Sequence, residues 1–193
     1  MSRLALVRHG ESTWNAERRL QGQADPPLTS AGESQVRALA PQLPELGIDR
    51  AICSDLRRAA RTADLLELRA VPDPRWREIG VGDWTGRSID ALRAEDPDRW
   101  RGWRAGLVTP PGGETWAEFS SRLAEALAAL PVGDVILVTH GGVIRALVAM
   151  LLELSPDRLA PVPPASLTIV ERGAWPRLRS YGLAAELGRI SPD

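Results

Sequence analysis

Two short apolar runs of this chain end in the same way. Leu4-Ala5-Leu6-Val7 passes through Arg8 into His9-Gly10, and Val135-Ile136-Leu137-Val138 passes through Thr139 into His140-Gly141-Gly142; these are the chain's two histidines. Apolar stretches this short, bounded by turn residues, read as buried strands. In an open parallel α/β sheet the ligand crevice lies beyond the carboxyl ends of the strands. Two such strands in one sheet would bring both imidazoles to one rim, and an arginine beside the first suits that rim to an anion.

The rest of the chain alternates to match. A strand over about 3–7 is followed by a polar, turn-rich loop from Gly10 to Thr29. Ser30-Ala31-Gly32-Glu33 has capping-box spacing and opens a helix whose Val36, Leu39, Ala40 and Leu43 share one side; Pro44 and Gly47 end it. A short strand near 49–53 leads through Ser54 into a helix over about 55–68. The stretch 71–113 is weakly periodic and rich in Trp, Arg, Pro and Gly, with room for short helices near 88–95 and 97–104. It reads as an insertion over the sheet rim. Thr115-Trp116-Ala117-Glu118 again has capping-box spacing, for a helix to about Leu130. Strand 135–139 precedes a strongly apolar helix from Gly142 to about Leu154, and Ser166–Glu171 and Leu178–Tyr181 read as late strands at a sheet edge. Such alternation predicts an α/β fold. We expect a three-layer α/β/α sandwich, its sheet mostly parallel with an antiparallel edge strand and a short helical cap. At 193 residues the expectation is one domain, 1–193, with the cap-like insertion at about 79–110.

Composition removes several classes of function. A formal net charge of −1 does not suit a protein that grips nucleic acid by broad electrostatics. Every cation is an arginine, and without lysine neither a phosphate-loop NTPase nor Schiff-base chemistry is available. Cys53 is the single cysteine, so no internal disulfide can form, and its place after Ile52 reads as buried and inert. Neither HExxH nor CxxC spacing occurs, and no metal is expected. No run approaches a membrane span, and the N-terminus enters a strand without a signal core, so the expected address is cytoplasmic. Of the seven tryptophans, five fall between Trp76 and Trp116; packing is the main reading, with one or two left for a pocket mouth.

The chemistry gathers at the predicted strand ends. Gly10 lets the backbone turn sharply and approach a ligand after Arg8-His9. Ser54-Asp55-Leu56-Arg57-Arg58-Ala59 starts a helix just after a strand, a setting that favours phosphate, and one of the two arginines would face the rim. Neutral imidazole is a competent nucleophile toward phosphorus, and guanidinium matches phosphate oxygens. Together they fit phosphoryl transfer through a phosphohistidine. The leaving oxygen then needs an acid, for which Glu78, Asp83 and Glu114 are candidates. Glu78 lies in Arg77-Glu78-Ile79-Gly80-Val81-Gly82-Asp83-Trp84, among apolar and glycine residues, a setting suited to a proton donor.

These blocks resemble the histidine phosphatase superfamily, the phosphoglycerate mutase-like proteins. Leu6-Val7-Arg8-His9-Gly10-Glu11-Ser12 with Trp14-Asn15 resembles the family's nucleophile motif, and Leu20-Gln21-Gly22, Pro27-Leu28-Thr29 and Gly32 its next block. Ser54–Ala59 with Thr62-Ala63 resembles the second arginine block, whose register selects Arg58 over Arg57. Glu78 with Gly82, Trp84 and Gly86 resembles the proton-donor block, and Pro111–Thr115 and Thr139–Gly142 complete the order. The resemblance implies that His9 carries the phosphoryl group, that Arg8, Arg58 and His140 hold its oxygens, and that Glu78 protonates the leaving oxygen and then activates water. It also implies that Asn15, Gln21, Gly22 and Gly141 line the pocket and that no cofactor is required. The short insertion and the separation of Arg101 from Arg104 depart from the mutases, which carry an adjacent arginine pair and a lysine. The Pro-Gly-Gly-Glu-Thr loop resembles the α-ribazole phosphatase and broad-specificity phosphatase branches. Hydrolysis of a small phosphorylated metabolite is therefore expected, with cofactor-dependent phosphoglycerate mutation and non-catalytic phosphate-ester binding as alternatives. A homodimer is compatible with the chain.

Overall fold

The computed structural model describes residues 2–185. In chain order the elements are β1 (Ser2–Arg8), α1 (Thr13–Ala16), α2 (Ser30–Leu39), β2 (Ala51–Cys53), α3 (Arg57–Leu65), β3 (Ala70–Pro72), α4 (Ile89–Glu95), α5 (Pro97–Arg104), α6 (Trp116–Ala128), β4 (Val135–Thr139), α7 (Gly141–Leu151), β5 (Ser166–Arg172) and β6 (Arg177–Ala184). One six-stranded sheet has the order β3-β2-β4-β1-β5-β6. β3, β2, β4 and β1 run parallel, while β5 and β6 form an antiparallel hairpin on the β1 side.

Strand pleat divides the core in two. Leu4, Leu6, Val135 and Leu137 face a cluster with α6 and α7 that includes Phe119, Leu123 and Ile144. Their alternates Ala5, Val7, Ile136 and Val138 face α2 and α3, against Val36, Leu39, Ala59 and Ala63. Helices therefore cover both faces, as a central strand buried on both sides requires. Trp76, Trp84 and Trp103 are buried in the first cluster, with Trp84 and Trp103 ring centroids 5.7 Å apart. The tryptophan-rich stretch thus joins the main core, and packing accounts for these side chains.

Several boundaries differ from the sequence expectation, each for a local reason. The cap of α2 is Thr29, which accepts from Gly32 N at 2.9 Å, rather than Ser30. That helix stops at Leu39 because Pro41 lacks the amide the next turn needs, and 3₁₀ turns continue to Leu46. β3 was not expected: it is three residues long and ends in Pro72, which an edge strand tolerates. The capping box at Thr115 and Glu118 forms as its spacing predicts. No helix among the described residues is long and apolar enough to cross a membrane.

Candidate active site

Parallel pairing sets the ends of three strands level. Arg8 pairs with Thr139, His9 N donates to Thr139 O at 3.0 Å, and Ser54 N donates to Val138 O at 2.9 Å. His9, Ser54 and His140 therefore leave β1, β2 and β4 at one rim. The His9 and His140 rings meet edge to face with centroids 5.2 Å apart, and both residues are buried.

His9 Nδ1 lies 2.7 Å from Gly10 O. A carbonyl can only accept, so Nδ1 carries the proton and Nε2 keeps its lone pair. Burial, reinforced by Arg58 and Arg8, holds the His9 pKa well below the ordinary histidine value, against a smaller opposing effect of the Gly10 bond. The ring is thus a neutral nucleophile with its free nitrogen preset. The close approach of Gly10 is to protein rather than to ligand: Gly10 N donates to Thr62 Oγ1 at 3.1 Å, and a Cβ on Gly32 would lie 2.1 Å from Glu11 O. The turn after the nucleophile is seated on α2 and α3.

Arg58 is 1 % exposed and spans two backbone carbonyls, Nη1 to Ala24 O at 2.6 Å and Nη2 to Gly22 O at 2.8 Å. Burial lowers its pKa to about 10, with Glu78 and Asp25 opposing, so it remains cationic at neutral pH. Arg57 is exposed, as the register of the second arginine block implied. Arg8 donates from Nη1 to Val162 O. Among the described residues, the buried nitrogens without a protein partner include three from this rim: Arg8 Nε, Arg58 Nε and His140 Nδ1. At the start of α3, which the sequence reading took as favourable to phosphate, Arg57 N donates to Asp25 Oδ2 at 2.9 Å.

Of the three candidate acids, Glu78 is the one brought to this rim; Asp25 Oδ1 also lies 3.6 Å from Arg58 Nη1. Glu78 Oε2 accepts from Gly142 N at 2.9 Å and its Oε1 from Ile79 N at 2.9 Å, and its charge acts on both Arg8 and Arg58. Glu114 is committed to Arg122, 2.8 Å away, and Asp83 is exposed. Gln21 and Gly22 are buried beside the Arg58 clamp, and Ser12 Oγ lies 3.0 Å from Gln21 Oε1. Ser12 caps α1, and Asn15, three residues on, completes the capping box by accepting from Ser12 N at 3.1 Å. Gly141 packs against the Arg8 guanidinium, where a Cβ would lie 3.3 Å from Nε. Such an arrangement can attack an electrophilic phosphorus, hold its oxygens by cationic and neutral donors, and exchange a proton on one side.

Residues 4–177 match the histidine phosphatase superfamily (branch 1). The chain belongs to that superfamily. Among curated relatives of this histidine phosphatase, a "Probable phosphoglycerate mutase GpmB" from Escherichia fergusonii is 42 % identical over 167 residues, covering 80 % of this chain and 76 % of the relative. Among solved structures, the mycobacterial glucosyl-3-phosphoglycerate phosphatase Rv2419c in complex with VO3 superimposes with a TM-score of 0.83 at 34 % identity, covering 94 % of this chain and 99 % of that one. TTHB049 from Thermus thermophilus gives a TM-score of 0.79 at 39 % identity, covering 93 % of this chain and 98 % of that one.

Three residues of this histidine phosphatase site had no role in the sequence reading, although Ser54 and Gly142 stand within its motif blocks. Ser54 Oγ lies 2.8 Å from His140 Nε2; its place directly after a strand was the available signal. At Gly142 a Cβ would lie 2.2 Å from Glu78 Oε1, so any larger residue there would push the Glu78 side chain from its place. Arg145 is 5 % exposed on α7, its Nε and Nη1 without a partner and its charge acting on Glu78. A lone arginine in an apolar helix gave no signal of such burial. Among the described residues no group of three or more His, Cys, Asp and Glu side chains is arranged to hold a metal ion.

Proposed function

We propose that this chain is a metal-independent phosphatase that hydrolyses a small phosphorylated metabolite through a phosphohistidine. The observation that carries the reading is the free Nε2 of neutral His9, at a rim where buried nitrogens of Arg8, Arg58 and His140 have no protein partner. Buried donors of this kind call for an acceptor, and a phosphoryl group offers three oxygens around the phosphorus. His9 Nε2 forms a bond to phosphorus as the ester oxygen departs. Glu78 gives that oxygen a proton, then takes one from the water that attacks the phosphohistidine, releasing inorganic phosphate and restoring His9. Arg8, Arg58 and His140 stabilise the charge on the transferring group; one such preset donor is commonly worth about 3–4 kcal/mol of barrier. Asn15, Gln21, Gly22 and Gly141 form the walls.

Turnover of p-nitrophenyl phosphate and of a panel of phosphorylated metabolites tests this. Activity that survives EDTA, vanishes in His9→Ala and yields an acid-labile phosphoenzyme in rapid quench is expected. Activity retained by His9→Ala, or abolished by EDTA, would overturn it. Loss of turnover with retained phosphate-ester binding would point to a binding module instead.

The relatives named as probable phosphoglycerate mutases favour a second reading, in which the phosphohistidine is passed to a second substrate hydroxyl. The cap counts against it: Arg101 is 72 % exposed and paired with Asp98 at the surface, and Gly102 and Trp103 separate it from Arg104. Isomerisation of 3-phosphoglycerate that depends on 2,3-bisphosphoglycerate would decide for the mutase.

A further inference from the structure

We propose that Ser54 is a positioning residue that sets the tautomer of His140, so that a neutral imidazole presents an Nδ1–H donor to the phosphoryl oxygens. The inference rests on the phosphatase reading for what the donor serves, but its structural half stands on the geometry alone.

Ser54 is fully buried at the end of β2, so its hydroxyl has no access to solvent. Its Oγ accepts from Leu56 N at 3.3 Å and lies 2.8 Å from His140 Nε2. A hydroxyl has one proton to give, and His140 Nε2 is the acceptor within reach of it. If Ser54 donates, Nε2 is the acceptor nitrogen and the ring proton sits on Nδ1, the nitrogen that has no protein partner. In the reverse arrangement the serine proton would be stranded in the interior, and Nδ1 would turn a lone pair toward the anion. The first arrangement satisfies every group once phosphate enters; the second leaves one buried donor unmet and adds a repulsion.

The tautomer matters because the surroundings oppose a second proton. Arg58 from α3, His9 and Arg8 from β1 and Arg122 from α6 all act on the His140 ring, while Glu78 sits at the next turn on Gly142 N. A donor that needed imidazolium would be scarce at neutral pH before substrate arrives. With Ser54 donating, the neutral ring is already a donor.

The chain's two histidines make this measurable directly. Long-range proton–nitrogen correlation spectra of the ¹⁵N-labelled chain at pH 8 are expected to show both rings protonated at Nδ1, His9 through Gly10 O and His140 through Ser54. A His140 ring protonated at Nε2, or averaged between the two forms, would overturn the proposal. In Ser54→Ala, His140 should lose its single-tautomer pattern while His9 keeps its own, which reports that the fold is intact. The kcat/KM for p-nitrophenyl phosphate should fall about 10- to 100-fold, with its alkaline limb moved to lower pH, and Ser54→Thr should restore both. Wild-type tautomer, rate and pH profile in Ser54→Ala would overturn it. Should the wild type hydrolyse no phosphomonoester, the phosphatase reading falls, and the spectra still decide the tautomer.

Discussion

Glu78 Oε2 accepts the backbone N–H of Gly142 at 2.9 Å, which docks the proposed acid on the first turn of the helix that His140 begins. The helix N-terminus, a natural seat for negative charge, here holds the Glu78 side chain. One short segment thus positions both a phosphate ligand and the proton carrier, and a β-carbon at Gly142 would lie 2.2 Å from Glu78 Oε1.

Gly142→Ala should therefore displace Glu78 while leaving the fold intact, since alanine favours a helix where glycine does not. The kcat/KM for alkyl phosphates, whose leaving oxygen needs a proton, is expected to fall about 100-fold, within the range for loss of general acid catalysis. p-Nitrophenyl phosphate, which leaves without help, should be affected far less. Equal losses on both substrate types would show that Glu78 is not the acid.

Arg58 joins structure to chemistry, because two of its nitrogens hold Gly22 O and Ala24 O while Nε remains for a ligand. Arg58→Ala should lower kcat/KM by about 10²–10³-fold. It should also cost about 1–3 kcal/mol of stability for each carbonyl left buried and unpaired. Rate assays and urea unfolding check the two effects separately; a rate loss without destabilisation would mean that the loop at 22–24 is held by other contacts.

Much of this was legible in the chain, and the exceptions are instructive. The rim carrying His9 and His140 was legible because two short apolar runs bounded by turn residues read as buried strands, which the fold pairs in parallel. Periodicity could not choose between Arg57 and Arg58, which point apart on α3, and only the motif register did. Residue chemistry alone left Glu78 among three acidic candidates, the resemblance to the proton-donor block singled it out, and its hold on Gly142 N could be seen only in the fold. Gly142 and Ser54 act through contacts across 64 and 86 residues, and Arg145 is buried by elements equally remote in sequence, which no local pattern encodes. β3 was hidden by its length and by Pro72, and the end of α2 by attention to Pro44 when Pro41 comes first.

The two histidines should give the protein a distinctive pH response. In the unfolded chain each imidazole takes its proton near pH 6.5. In the fold, burial first and then the neighbouring arginines hold both well below that. Between the two values the unfolded chain binds more protons, so their contribution is fully present above about pH 6.5 and is lost as the pH falls. The slope is at most about 1.4 kcal/mol per pH unit for each histidine. Urea midpoints between pH 7.5 and 5.5 should decline, and less steeply in His140→Gln. The acid limb of kcat/KM should lie below pH 6.5, because His9 stays neutral there. An unchanged slope in the variant would remove His140 from this account.

Arg145 should behave as a residue kept at the expense of stability. Its guanidinium is buried on α7 with Nε and Nη1 unpartnered, and burial lowers its pKa against the pull of Glu78, Tyr181 and Asp157. A charge in that position is costly to desolvate, and an apolar side chain of similar length removes the cost. Arg145→Met is therefore expected to be neutral or to stabilise the protein by about 1 kcal/mol, a rise in Tm of about 2–4 °C for a domain of this size. At the same time kcat/KM should fall, because the charge beside Glu78 is gone. Thermal melts and steady-state rates on the same preparations test both halves. A marked drop in Tm would show that Arg145 holds the fold together rather than serving the site.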